Sequence, residues 1–188
     1  RDFREEVERA TEKKELGDLE LLAAEARGFE WEIEGMRLVG RAQFELKAFE
    51  GARVTWEAIR KQDELDVEAN TMLGTIQQRL GDLTSSDQAL KRVISLTNLD
   101  DDRRAEVRSL LGRNAKSRWS AEWRQAQSLP DRQRRALLSP FLDESLEAYS
   151  AALNEDLNHY YSGLSTLAML TIQTKLAELM PDAWAERF

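Results

Sequence analysis

A spacing of 34 residues between matching positions constrains this fold more than any other feature of the sequence. At this spacing Gly40 matches Gly74, and on the following helix Trp56 matches Leu90. Hairpins of this length repeat when a small residue on the first helix, helix A, leaves room for a large apolar residue on the second, helix B. Three further pairs keep the spacing: Phe49 with Leu83, Ala52 with Ser86, and Ile59 with Val93. The spacing predicts an array of helix hairpins whose neighbours share their cores.

The composition and the short connections favour helices along the whole chain. Only three Pro and nine Gly occur in 188 residues, and no stretch alternates between apolar and polar residues as a strand does. A third helix A is expected around Leu111-Gly112, because four residues are added at the acidic turn from Asn98 to Asp102. Short connections join antiparallel neighbours, so we predict an all-α fold of antiparallel helix hairpins.

We predict that residues 1–188 form one helical-repeat domain. Its parts are an irregular leading hairpin (1–30), repeat units (33–127), a divergent C-terminal hairpin (128–180) and a tail (181–188). Trp184 and Phe188 lie in this tail, which we expect either to fold back onto the last helix or to reach another subunit or domain. Because the sequence begins with Arg1 rather than Met, we expect it to be a fragment of a longer protein.

The repeat pattern resembles tetratricopeptide repeats over about residues 33 to 118. A narrower set of segments is similar to the TRAFs-binding domain, which occurs in the central regulatory region of apoptosis signal-regulating kinases and in bacterial multidomain proteins. These segments are Gly17 to Glu20, Gly112 to Lys116 with Trp119, Ser145 to Tyr149, and Asn158 to Leu164. The resemblance implies a tetratricopeptide-like α-solenoid that regulates or recruits a signalling partner, including an attached effector domain. It carries over no set of binding residues.

The helix A surface of such an array lines its concave face, so candidate contacts follow from the repeat register. Glu34, Glu68 and Glu106 are expected to need no partner, because each lies in a first helical turn, where the helix dipole favours a carboxylate. The candidate partner-binding residues that remain are Arg37, Arg41, Phe44, Arg79, Arg113 and Lys116. Guanidinium groups pair well with carboxylates, so this positive strip predicts a groove for an acidic peptide. The alternative is local pairing one turn away, such as Arg37 with Glu34.

The sequence indicates no catalytic, metal or cofactor site. The chain has no Cys and a single His, His159, which excludes Cys-based zinc sites and an ordinary His-dependent triad. The acidic run from Asp100 to Asp102 lacks the spacing of a calcium loop, and no Gly-rich phosphate loop is present. We therefore expect a protein without enzymatic activity, metal or cofactor.

Charge and hydropathy also limit the partners. The formal net charge of -8 opposes attraction to nucleic-acid phosphates and to anionic lipid surfaces. The sequence has no apolar run of about 20 residues, as a membrane span would need, and no signal peptide. We expect a cytoplasmic protein that binds neither nucleic acid nor membrane, and the sequence leaves its oligomeric state open.

Two functions fit these features. The leading hypothesis is a regulatory protein-interaction scaffold that presents a concave surface to an acidic peptide or a partner domain. The alternative is a sensor whose solenoid changes conformation when a small ligand or a signalling peptide binds. Both predict a surface made by successive A helices.

Overall fold

The computed structural model describes residues 2–187, and these residues form eleven helices and no strand. The all-α class predicted from the sequence is confirmed. The chain divides into two compact units, of which unit 1 ends at Val93 and unit 2 begins at Ile94. No helix within residues 2–187 is long and apolar enough to cross a membrane. The organisation of the whole chain as one domain remains a prediction.

Unit 1 contains the leading hairpin and the first two repeat hairpins. Its helices are α1 (Phe3–Lys13), α2 (Leu16–Glu25), α3 (Glu32–Glu45), α4 (Phe49–Gln62), α5 (Val67–Leu80) and α6 (Leu83–Ile94, whose last residue lies past the unit boundary). The side chain of Asp66 caps α5 by accepting a hydrogen bond from the backbone N–H of Ala69 at 2.7 Å. Gly81 ends α5 in the left-handed conformation, with φ at 87°, where a side chain would be strained.

The repeat contact is visible in both hairpins of unit 1. A Cβ atom added to Gly40 would lie 2.7 Å from the indole nitrogen of Trp56, and one added to Gly74 would lie 2.5 Å from Leu90. Trp56 and Leu90 are fully buried. The hydroxyl of Ser86 donates a hydrogen bond to the carbonyl of Gly74 at 2.5 Å, which ties helix B to helix A at this point. The positions that the 34-residue spacing relates are therefore the positions at which helix A contacts helix B in the core.

Unit 2 contains five helices, one of them unusually long. They are α7 (Asp101–Arg124), α8 (Leu129–Leu138), α9 (Pro140–Glu155), α10 (Tyr160–Leu179) and α11 (Pro181–Glu186). Asp100 caps α7 by accepting from the backbone N–H of Arg103 at 2.8 Å. Ser128 caps α8 in the same way, followed by Pro130, which supplies no N–H in the first turn.

The third repeat contact joins α7 to α9 rather than to the next helix in the chain. A Cβ atom added to Gly112 would lie 3.0 Å from the buried ring of Tyr149. The hydroxyl of Ser145 donates to the carbonyl of Gly112 at 3.1 Å, as Ser86 does to Gly74 in unit 1. Helix α9 thus takes the place of helix B, and α8 is inserted between the two members of the hairpin.

The C-terminal tail folds back within unit 2. Residues Pro181–Glu186 form α11, in which Ala183 is buried. Arg187 donates to the carbonyl of Leu137 at 2.7 Å and pairs with Asp143. Residues 181–187 therefore fold back within unit 2, but Arg187 bonds to α8 and α9 rather than to the last long helix, onto which the tail was expected to fold. Phe188 lies outside the described residues.

Candidate functional site

Two of the predicted binding residues, Arg37 and Arg41 on α3, are paired with carboxylates at the start of α5. Arg37 donates to Glu68 at 2.8 Å and also donates to both carboxylate oxygens of Asp66 from its two terminal guanidinium nitrogens. The Nε of Arg41 donates to the same Glu68 at 2.7 Å. The expectation that Glu68 needs no partner is therefore wrong. The partners of both Arg residues lie on the next helix A, about 30 residues along the chain, rather than one turn away.

Asp66 both caps α5 and pairs with Arg37, and both interactions affect its pKa. Burial of its carboxylate raises the pKa, but the hydrogen bonds from Arg37 and from the backbone of Ala69, with the charge of Arg37, outweigh burial. The net pKa of Asp66 is lower than its ordinary value. The hydrogen bond to Asp66 is also the largest cause of the raised pKa of Arg37. The pair is therefore fully ionised at neutral pH.

The other predicted binding residues of unit 1, Phe44 and Arg79, take no part in the pairing with Asp66 and Glu68. Phe44 lies edge-on to Phe49, with ring centroids 5.6 Å apart, and packs against the core. Arg79 is exposed and has no hydrogen bond or ion pair within the described chain. A cavity of about 520 Å³ between α1 and α3 is lined by cations and anions alike, namely Arg4, Lys14, Arg41, Glu8, Glu12 and Glu45. Partner binding by Arg37, Arg41, Phe44 and Arg79 stays a prediction.

Unit 2 holds a different kind of surface, an apolar cavity of about 330 Å³ between α7 and α10. We call it the α7/α10 groove. The side chains that line it are Lys116, Trp119, Ser120, Tyr161, Leu164, Ser165, Ala168, Met169 and Ile172. Met169 is buried, and the indole nitrogen of Trp119 donates to the carbonyl of Ala136 at 2.8 Å, so both are held firmly. Leu164 is 70% exposed at the opening.

Polar groups gather beside the groove, around Tyr149. The ammonium group of Lys116 lies 5.5 Å from the centroid of the Tyr149 ring, and the hydroxyls of Tyr149 and Tyr161 are 3.3 Å apart. Burial and the contact with Tyr161 raise the pKa of Tyr149, while Ser165 and the charge of Arg113 act in the opposite direction. The phenol of Tyr149 is therefore neutral at physiological pH. Of the predicted binding residues, the structure brings Arg113 and Lys116 to this cluster.

The contribution of α10 was missed in the sequence. Tyr161, Leu164, Ala168 and Ile172 recur at helical spacing and line one face of the groove. The sequence feature that could have revealed this contribution is the distribution of apolar residues in α10, which occur on all sides of the helix rather than in one stripe. Such a helix cannot bury them all against a single neighbour, and Leu167 on another face is 62% exposed.

The single histidine has a local structural role. His159 precedes α10, and its Nδ1 lies 2.7 Å from the hydroxyl of Ser162. Its Nε2 lies 3.3 Å from a carboxylate oxygen of Glu106, which is therefore not without a partner, contrary to the sequence expectation. Residues 2–187 contain no cluster of three or more His, Asp or Glu side chains that could hold a metal ion.

Comparison with known proteins yields one family. A family model described as Tetratricopeptide Repeats-Sensor matches residues 48–170, which is more than half of the chain. The match takes in every residue that lines the α7/α10 groove except Ile172. It agrees with the tetratricopeptide-like α-solenoid class predicted from the sequence. No curated protein matches the chain significantly.

Proposed function

The chain belongs to the Tetratricopeptide Repeats-Sensor family, and from that premise we propose that it is a non-catalytic binding module whose partner lies in the α7/α10 groove. The family indicates a protein-interaction or sensor role. The observation that carries the proposal is the groove itself, an open apolar surface between two helices. Clefts lined by apolar side chains with a few polar groups are where soluble proteins commonly bind ligands.

The energetics of the groove favour a protein partner. Leu164 and Tyr161 are 70% and 47% exposed, and complete burial of a fully exposed Leu side chain contributes about 1.5–3 kcal/mol, most of which is still available at Leu164. Beneath them, Trp119 and Met169 are buried and already ordered, so a partner that packs on them loses little side-chain entropy of the module. A rigid floor with an exposed apolar edge is suited to receive side chains from another chain.

The predicted contacts of unit 1 form a second part of the proposal. Arg37, Arg41, Phe44 and Arg79 remain candidate contacts for an acidic segment or an attached effector domain, since Arg79 is exposed and Arg41 is more than half exposed. The narrower resemblance to the TRAFs-binding domain, the regulatory role in signalling and the cytoplasmic location also remain predictions.

Selection of peptides from a displayed random library against the full chain tests the groove. Leu164→Asp should weaken binding of the selected peptides at least tenfold, because a carboxylate then faces the apolar surface. Leu167→Asp is the matched control, since Leu167 is similarly exposed on the same helix but lies outside the groove. Equal affinities of the wild type and Leu164→Asp, measured by fluorescence anisotropy, would contradict the assignment.

A sensor of small molecules is the second candidate, and the size of the cavity favours it. About 330 Å³ falls at the lower end of the range for ligand pockets, roughly 300–1,000 Å³. In a thermal-shift screen a specific ligand should raise the melting temperature of the wild type but not of Ala168→Trp, which fills the groove. Thr171→Trp, on an exposed site outside the groove, is the control. Peptide binding that needs no small ligand would argue against the sensor.

A further inference from the structure

Lys116 is the charged group among the residues that line the α7/α10 groove, and no carboxylate of residues 2–187 forms an ion pair with it. Among residues 2–187 its described contact is with the face of the Tyr149 ring, and it forms no ion pair. This contrasts with Arg37 and Arg41 of unit 1, which share Glu68 and are already neutralised. Lys116 therefore presents a positive charge to any molecule in the groove.

The groove also lacks negative charge, in a chain rich in it. The sequence contains 35 Asp and Glu residues, yet none of the described residues that line the groove is acidic. The other polar side chains that line the groove are those of Ser120, Tyr161 and Ser165, whose hydroxyls can donate to a carboxylate. The cation, the three hydroxyls and the lack of acidic residues in the described lining make the groove complementary to a carboxylate.

The remaining lining defines the shape of the occupant. Tyr161, Leu164, Ala168 and Ile172 succeed one another at intervals of three or four residues, so they form a stripe along about three turns of α10. A stripe of this kind beside a second helix, α7, is the geometry that receives the apolar face of an amphipathic helix. An occupant helix of about three turns would match the stripe in length.

We propose that the α7/α10 groove binds an amphipathic helix of a partner protein that carries a carboxylate at one end of its apolar face, paired with Lys116. This inference rests on the proposed function and specifies the partner. The helix buries its apolar residues on Trp119, Leu164 and Ile172, and the carboxylate sets its orientation. Because the groove is open to solvent, which weakens an ion pair, the pair contributes to specificity more than to affinity.

A displayed library of helical peptides tests the charge and the shape together. The library fixes Leu at positions i, i+3, i+7 and i+11 and randomises the others, and the full chain is the target. Selection on the wild type should enrich Asp or Glu at one end of the Leu face. The enrichment should vanish with Lys116→Gln and turn into enrichment of Lys or Arg with Lys116→Glu. Lys175→Gln, on an exposed lysine of α10 outside the groove, should retain the acidic preference.

Binding measurements on the enriched peptides then separate the inference from the function on which it rests. Replacement of the acidic residue by Gln should weaken binding to the wild type about fivefold and leave binding to Lys116→Gln unchanged. Helical peptides that bind without an acidic preference, or only non-helical binders, would overturn the inference. Binding that survives Leu164→Asp would overturn the groove assignment as well. Circular dichroism of each variant verifies that it is folded.

Discussion

At the scale of single residues, each hairpin can pack closely because helix A has a glycine, without a side chain, where it contacts helix B. Gly74 sits so close to Leu90 that an added Cβ atom would lie 2.5 Å from one Leu90 methyl carbon and 2.6 Å from its Cγ. Leu90 is fully buried and cannot turn away without opening the core. The glycine is required here for close approach of the helices, and not for an unusual backbone conformation.

Gly74→Ala should therefore destabilise the protein. The overlap at 2.5 Å is severe, so we take the upper part of the overpacking range, about 2–3 kcal/mol; the better helix propensity of Ala returns about 1 kcal/mol, and the free energy of unfolding should fall by about 1–2 kcal/mol. Gly163→Ala is the control, because its Cβ would lie at an ordinary 3.4 Å from Leu153, and this variant should be neutral or more stable. Urea unfolding followed by circular dichroism measures both. A Gly74→Ala protein as stable as the wild type would show that the contact relaxes freely.

At the scale of helices, the junction of α3 with α5 is held by a carboxylate that both caps a helix and forms an ion pair. Asp66 accepts from the backbone of Ala69 and from Arg37, and its side chain is 14% exposed. Its lowered pKa means that the folded state favours the charged form. This contribution to stability is present above the pKa of the unfolded chain, near 4, and is lost as the pH falls through the lower pKa of the folded state.

Asp66→Asn isolates this contribution, because Asn keeps the ability to cap the helix but loses the charge. At pH 7 the variant should be less stable than the wild type by about 1.5–3 kcal/mol, the range for a hydrogen bond to a charged group. The difference should shrink as the pH is lowered below about 4, since Asp66 becomes protonated in both states. Urea unfolding at several pH values measures it. A difference that stays constant down to about pH 2 would assign the loss to packing instead.

Also at the scale of helices, contacts between consecutive helices could be predicted from the sequence, whereas contacts between helices separated by an insertion could not. Gly74 and Leu90 belong to consecutive helices, so the repeat spacing revealed their contact. Tyr149, the partner of Gly112, lies beyond the inserted α8, and no fixed spacing indicates it. Glu68 was assigned to a helix dipole because its Arg partners come from the preceding helix A, which the local spacing of charges does not reveal.

At the scale of the whole molecule, the net charge and the charge of the groove have opposite signs. The chain carries a formal charge of -8, whereas the described residues that line the α7/α10 groove include one cation, Lys116, and no anion. In unit 1 the predicted positive strip does not offset the net negative charge of the chain, because Arg37 and Arg41 are neutralised by Asp66 and Glu68. An acidic partner is therefore repelled at long range and attracted only on contact.

This difference in range predicts an unusual effect of salt on association. Added salt shortens the Debye length from about 30 Å at 0.01 M to about 10 Å at 0.1 M, which screens the distant repulsion more than the close pair with Lys116. The association rate constant of an acidic groove-binding peptide should therefore rise roughly twofold or more over this range, in stopped-flow fluorescence. A neutral Gln-substituted peptide should show little change. If association of the acidic peptide slows with salt instead, electrostatic attraction governs its approach, and the net negative charge does not repel it at long range.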